Sequence, residues 1–116
     1  MKKMKIKTEK DLEAYLVSEC EARGWDAIKF TSPGRRGVPD RIISADFNTI
    51  VFCEVKHPNG KGVLSANQED EIAGLQDRQH DVYVVETVEQ VNQMLMDITN
   101  MEEFNRFIYF EYKHGN

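Results

Sequence analysis

The sequence predicts an α/β domain running helix, three strands, helix, strand, helix, with a mixed central sheet flanked by helices. Three observations predict it. Three hydroxyl residues each precede an acid or amide by three positions, the pattern of a capping box at a helix start: Thr8 with Asp11, Ser65 with Gln68, and Thr87 with Gln90. Four β-type runs fall outside the stretches that follow these signals. The links between the first three runs are too short for a crossover helix, so those strands pair as an antiparallel meander. The fourth follows a helix, which permits a parallel, right-handed connection.

Each element has its own signature. After Thr8, Leu12, Leu16 and Cys20 recur at helical spacing, with Tyr15 and Val17 beside them and Gly24 as the stop. Ala27 to Thr31 makes a short first strand bounded by Pro33 and Gly34, and Arg41 to Ala45 follows the turn Gly37-Val38-Pro39. Thr49 to Lys56 is the strongest strand. Its Ile50, Val51, Phe52, Cys53 and Val55 are nearly continuously apolar, as expected of a strand covered on both faces. His57-Pro58-Asn59-Gly60 ends it in a turn.

The second helix shows a narrower stripe of Ile72, Leu75 and Gln79 and ends near His80, and Val82 to Val85 forms the fourth strand. Val88, Val91, Leu95 and Ile98 give the third helix the cleanest amphipathic pattern. The tail then concentrates Phe104, Phe107, Tyr109, Phe110 and Tyr112, five of the eleven aromatics, into nine residues. It reads as a strand covering a sheet edge or as a contact with a second subunit. Base stacking ranks behind, since Arg106 and Lys113 are its only cations.

The 116 residues make a single domain, 1–116, and a hydrophobic share of 41 % with 30 % charged residues excludes a disordered chain. No apolar run reaches the roughly 20 residues of a membrane helix, and the lysine-rich start lacks an apolar stretch behind it, so a cytoplasmic protein is expected. Cys20 and Cys53 are too few for a disulfide scaffold or a zinc ribbon. The net charge of −5 conceals an asymmetry: residues 1–63 hold twelve Lys and Arg against nine Asp and Glu, and residues 64–116 three against eleven. A polyanion would approach the first half, where Arg35, Arg36 and Arg41 crowd together. On charge alone, two simply solvated surfaces are the favoured explanation.

The chemistry gathers at one end of the strongest strand. Alternation puts Glu54 and Lys56 on one face and Val55 on the other. Alone, the two are an ordinary surface ion pair. Asp40, behind the rigid Val38-Pro39, opens the neighbouring strand and comes within reach of Glu54 in a meander. Two converging carboxylates repel unless a proton or cation lies between them. Such an oxygen-rich site, with the Val55 carbonyl as a further ligand, suits Mg²⁺ or Mn²⁺ and phosphate oxygens rather than zinc.

These residues carry a family resemblance. The run Ser32-Pro33-Gly34-Arg35-Arg36-Gly37-Val38-Pro39-Asp40-Arg41, then Phe52-Cys53-Glu54-Val55-Lys56, then Gln68, resembles the VRR-NUC domain of the PD-(D/E)XK nuclease superfamily, and in particular its stand-alone phage and prophage type. The resemblance covers about residues 8–90, leaving 91–116 as a C-terminal extension and a candidate dimer contact. It implies a restriction-endonuclease-like αβββαβ core. It implies Asp40 and Glu54 as metal-binding carboxylates, Lys56 as the catalytic lysine, and Gln68 near the active site at the start of the following helix. The superfamily also uses a glutamate of the first helix. Glu13, facing inward among Leu12, Leu16, Val17 and Cys20, is preferred over Glu9, which the helix N-terminus explains.

The loop from Ser32 to Gly37 suits a phosphate backbone, with glycines for close approach and Arg35 and Arg36 for paired contacts, against the plain reading of a basic turn. Arg41, Lys61 and Lys29 extend the basic track, and Ser32 is a weaker contact or simply a turn residue. The expectation is a Mg²⁺- or Mn²⁺-dependent DNA endonuclease, structure-specific and acting as a homodimer on branched DNA such as Holliday junctions. Its rivals are a flap, nick or single-strand nuclease of the same chemistry and a nucleic-acid-binding module that does not cut.

Overall fold

A computed structural model describes residues 5–114, with side chains as far as residue 111. Lys2, Lys3 and the side chains of Tyr112, Lys113 and His114 lie outside it. The elements are α1 (Glu9–Ala22), β1 (Asp26–Lys29), β2 (Arg41–Ala45), β3 (Thr49–Val55), α2 (Ala66–Asp77), β4 (Val82–Val85) and α3 (Val88–His114). The sheet order is β1-β2-β3-β4, with β1, β2 and β3 antiparallel and β4 parallel to β3. Arg41 stands opposite Cys53 and Ala45 opposite Thr49, so the start of β2 lies beside the end of β3. No helix among the described residues is long and apolar enough to cross a membrane.

The helix starts follow from local hydrogen bonding. Thr8 and Asp11 close a reciprocal capping box at α1, and Ser65 and Gln68 close another at α2. The third start differs in one bond. Thr87 Oγ1 accepts from Gln90 N at 3.1 Å, but Gln90 Oε1 takes the amide of Glu86 at 2.7 Å rather than that of Thr87.

The core lies between one face of the sheet and the α1–α3 pair. Leu12, Leu16 and Cys20 of α1 and Val91, Met94, Leu95 and Ile98 of α3 bury against Ile43, Val51, Cys53, Val55 and Val85. Burying side chains of this size stabilises the fold by about 1.5–3 kcal/mol each. Both cysteines are free and buried. Burial raises the Cys20 thiol to about 11 and pushes that of Cys53 up as well, so both remain protonated packing groups.

Two sequence expectations are corrected. β3 is not covered along its whole second face: Ile50 is 53 % exposed, because α2 meets the sheet beside β4 and near the end of β3 rather than at its start. The aromatic tail is not an edge strand. It continues α3, a 27-residue helix, about 40 Å long at 1.5 Å per residue. No Gly or Pro interrupts residues 88–114, so a helix already nucleated by packing propagates through aromatics that would favour a strand in isolation. Glu102 and Asn105 tether it: Glu102 Oε2 accepts from Trp25 Nε1 and from Asp46 N, both at 2.8 Å, and Asn105 Nδ2 donates to Thr49 Oγ1 at 2.9 Å.

Candidate active site

Glu54 is the centre of the site and is almost completely buried, at 3 % exposure. Its Oε2 accepts from Gln68 Nε2 at 2.9 Å and lies 3.3 Å from Lys56 Nζ. Lys56 Nζ in turn donates to Gln68 Oε1 at 2.8 Å. The capping box sets Gln68 at the first turn of α2, so one side chain both closes the helix and ties Glu54 to Lys56. The other oxygen, Glu54 Oε1, is buried with no hydrogen-bond partner among the described residues. Such an atom carries an uncompensated desolvation cost.

Asp40 sits one residue before β2, following Pro39, whose ring is fully buried and fixes the approach. Its Oδ2 accepts from Val55 N at 3.2 Å, and Asp40 O accepts from Phe30 N at 2.8 Å. Burial first, and then the charge of Asp40, push the Glu54 carboxyl up to about 7, while the Lys56 ammonium pulls it back. Asp40, Glu54, Lys56 and Gln68 are thus one interacting cluster.

A cleft of about 320 Å³ lies between α1 and this end of the sheet, lined by Glu9, Lys10, Glu13, Lys29, Asp40 and Val55. Asp40 belongs both to the cleft and to the cluster behind it, whereas Glu54 does not line the cleft. Glu13 and Glu9 both reach it. Glu13 is held by Arg41, whose Nε lies 3.3 Å from Glu13 Oε2 and whose Nη1 donates to Ala27 O at 3.0 Å. The Arg41 side chain is only 17 % exposed, so it braces α1 against β1. Among the described residues no three carboxylate, histidine or cysteine side chains converge closely enough to hold a metal between them. A larger hollow of about 500 Å³ lies at the far end of β3, beside Asn48, Tyr83 and Asp97. There the Tyr83 hydroxyl is committed to Asp97 Oδ2 at 3.0 Å.

The loop of residues 32–37 is docked on α2. Gly37, at φ +87°, lies so close that a Cβ there would come within 2.5 Å of the Asn67 carbonyl carbon and oxygen. Arg35 Nε pairs with Glu71 Oε1 at 2.6 Å, while Arg36 is exposed and Ser32 half-buried. Lys61 is exposed in the turn after β3, and Lys29 is exposed beside the cleft. Sequence reasoning missed Lys10 and Glu71. Glu71 had a readable signal, since it follows Gln68 by three residues and so shares its helix face.

Sheet order, register and flanking helices define an α/β domain with a restriction-endonuclease-like core. The solved structure of a VRR_NUC domain superposes with a TM-score of 0.70 at 25 % identity, covering 76 % of this chain and 94 % of that one. The chain therefore has the VRR-NUC fold, and the resemblance carried by its motifs holds in three dimensions. The "Putative nuclease p44" of Acyrthosiphon pisum secondary endosymbiont phage 1 is 47 % identical over 58 residues, which is 50 % of this chain and 62 % of that protein. The chain thus spans less than two thirds of the length of that relative. No family model matches the chain.

Proposed function

We propose that the protein is a metal-dependent DNA endonuclease that hydrolyses phosphodiester bonds, with branched DNA such as Holliday junctions as substrate. The observation that carries this reading is the cluster of Asp40, Glu54, Lys56 and Gln68 with its orphaned oxygen, Glu54 Oε1. An orphaned buried carboxylate oxygen beside a second acid is the donor set of a hard cation. Asp40, Glu54 and the Val55 carbonyl would hold Mg²⁺ or Mn²⁺, with Glu13 or Glu9 approaching Asp40 across the cleft from α1. Such an ion supplies an acidified water and polarises the phosphate oxygens.

The chain's own residues supply the rest. Water adds to phosphorus in line, the P–O3′ bond breaks and the 3′ oxygen takes a proton, leaving the 5′-phosphate and 3′-hydroxyl ends that the superfamily resemblance implies. The Lys56 ammonium, oriented by Gln68, offsets the negative charge that develops on the phosphate. Arg35, Arg36 and Lys61 supply exposed positive charge for the flanking backbone. Support for a homodimer comes from the far half of α3, where Phe104 and Phe107 are 65 % and 61 % exposed. Paired subunits suit the paired strands of a junction.

Labelled four-way junctions, flaps and linear duplex, incubated with the protein in Mg²⁺, Mn²⁺ or EDTA, test the proposal. Paired symmetric incisions of the junction, lost in EDTA and in Asp40→Ala and Lys56→Ala, are expected. Cutting confined to flaps would move the substrate, and binding without cutting in either metal would overturn the enzyme.

A further inference from the structure

We propose that Glu71 is a positioning residue for DNA binding, clamping the loop of residues 32–37 onto α2 so that Arg35 meets the phosphate backbone in fixed register with the Asp40–Glu54–Lys56 cluster. The inference rests on the DNA-nuclease reading and adds to it the residue that aligns binding with chemistry.

The two partners are unequal. The Glu71 side chain is 18 % exposed and that of Arg35 62 % exposed. An ordinary surface pair has two long exposed side chains, and contributes little. Here the acid is set into the fold and the arginine reaches outward from it. Only Nε of Arg35 is engaged by a side chain among the described residues. The guanidinium carries four further N–H donors on its terminal nitrogens. These remain for the paired contacts that phosphate oxygens favour.

The second support is the shared platform. Gln68 and Glu71, three residues apart on α2, are neighbours on one helix face. Gln68 fixes Glu54 and Lys56, and Glu71 fixes Arg35. At the start of the same turn, the Gly37 backbone packs onto Asn67 and Gln68 too closely for any side chain. The turn bond from Arg35 N to Ser32 O, at 3.0 Å, holds the remainder of the loop. One turn of helix thus sets both the grip on the backbone and the groups beside the scissile phosphate.

The sign of the effect makes the test sharp. Removing an acid near bound DNA ordinarily tightens binding, because a repulsion is lost. A clamp predicts the reverse. Binding of a fluorescein-labelled four-way junction is measured by anisotropy in EDTA across a salt series, for wild type, Arg35→Ala, Glu71→Ala, Glu71→Gln and the double alanine variant. Glu71→Ala is expected to weaken binding about five- to tenfold and to lower the salt slope by about 1, the share of one phosphate contact. Arg35→Ala is expected to do the same, and the double variant to lose nothing more. Glu71→Gln, which keeps an oxygen acceptor for Arg35 Nε, retains most of the affinity and keeps the test open should the alanine variant fold poorly. Tighter or unchanged binding in Glu71→Ala, tighter binding in Glu71→Gln, or additive losses in the double variant, would overturn the clamp alone. A wild-type chain that binds no DNA at any salt overturns the nuclease reading beneath it.

Discussion

Lys56 Nζ donates to Gln68 Oε1 at 2.8 Å, and that same oxygen accepts from Ser65 N at 3.0 Å. A helix cap and a contact inside the candidate active site therefore share one atom. The start of α2 cannot fray without releasing Lys56, and Glu54 loses its Nε2 donor at the same moment.

Gln68→Ala removes the reciprocal half of the cap and takes from Glu54 its amide donor, leaving only the Lys56 ammonium beside it, costing about 1–3 kcal/mol in urea denaturation. DNA cleavage falls about ten- to hundredfold, the usual loss when a group that orients a reactive side chain is removed. Ser65→Ala is the control. It deletes only the hydroxyl that accepts from Gln68 N, costing about 1 kcal/mol while cleavage is retained. Equal activity losses in the two variants would mean that Gln68 acts on the helix alone.

The Glu54 carboxyl, pushed up to about 7 from an ordinary 4.5, gives a stability signature. In the metal-free protein the folded state binds the extra proton across that interval, so stability contributed by Glu54 is full below pH 4.5 and is lost as pH rises through about 7. In EDTA the melting temperature of wild type should fall relative to Glu54→Gln between pH 5 and pH 8. Mg²⁺ at pH 8 should recover wild type and leave the variant unmoved. A difference independent of pH would show that Glu54 does not titrate in this range.

Gly37→Ala should cost about 2–4 kcal/mol, because the new methyl meets the Asn67 backbone at 2.5 Å as well as straining a residue at φ +87°. Gly24→Ala, at φ +77° with nothing within 4 Å, incurs only the backbone strain of about 1 kcal/mol. Chemical denaturation of the two variants compares close packing directly with conformation. Equal losses would mean that the loop yields at no cost and is not docked on α2.

Arg41→Ala should destabilise the fold by about 1.5–3 kcal/mol, through the loss of its bonds to Glu13 and Ala27 O. Its side chain is mostly covered, so the salt slope of DNA binding should stay at the wild-type value, in contrast to Arg35→Ala. A shallower slope in Arg41→Ala would mean that this arginine meets the DNA backbone as well as bracing the fold.

The element order, the antiparallel meander, the parallel fourth strand and the starts of the helices are legible along the chain. These depend on interactions between residues a few positions apart: Thr8 with Asp11, Ser65 with Gln68, and the two-residue alternation that sends Glu54 and Lys56 to one face. Strand pairing then put Asp40 beside Glu54, because short loops leave a meander no other register. Features that depend on distant neighbours emerge only on folding. Arg41 looked like one more basic residue of the loop until Glu13, 28 positions away, proved to be its partner. The aromatic tail carried a strand's composition, yet Trp25 and Thr49 hold it as helix through Glu102 and Asn105. The pairing of Arg35 with Glu71 spans 36 positions: the helix face of Glu71 is readable, but its partner in the loop is not. Short-range hydrogen bonding and periodicity are written along the chain; the choice among several equally charged partners is made by burial and approach, which exist only once the chain has folded.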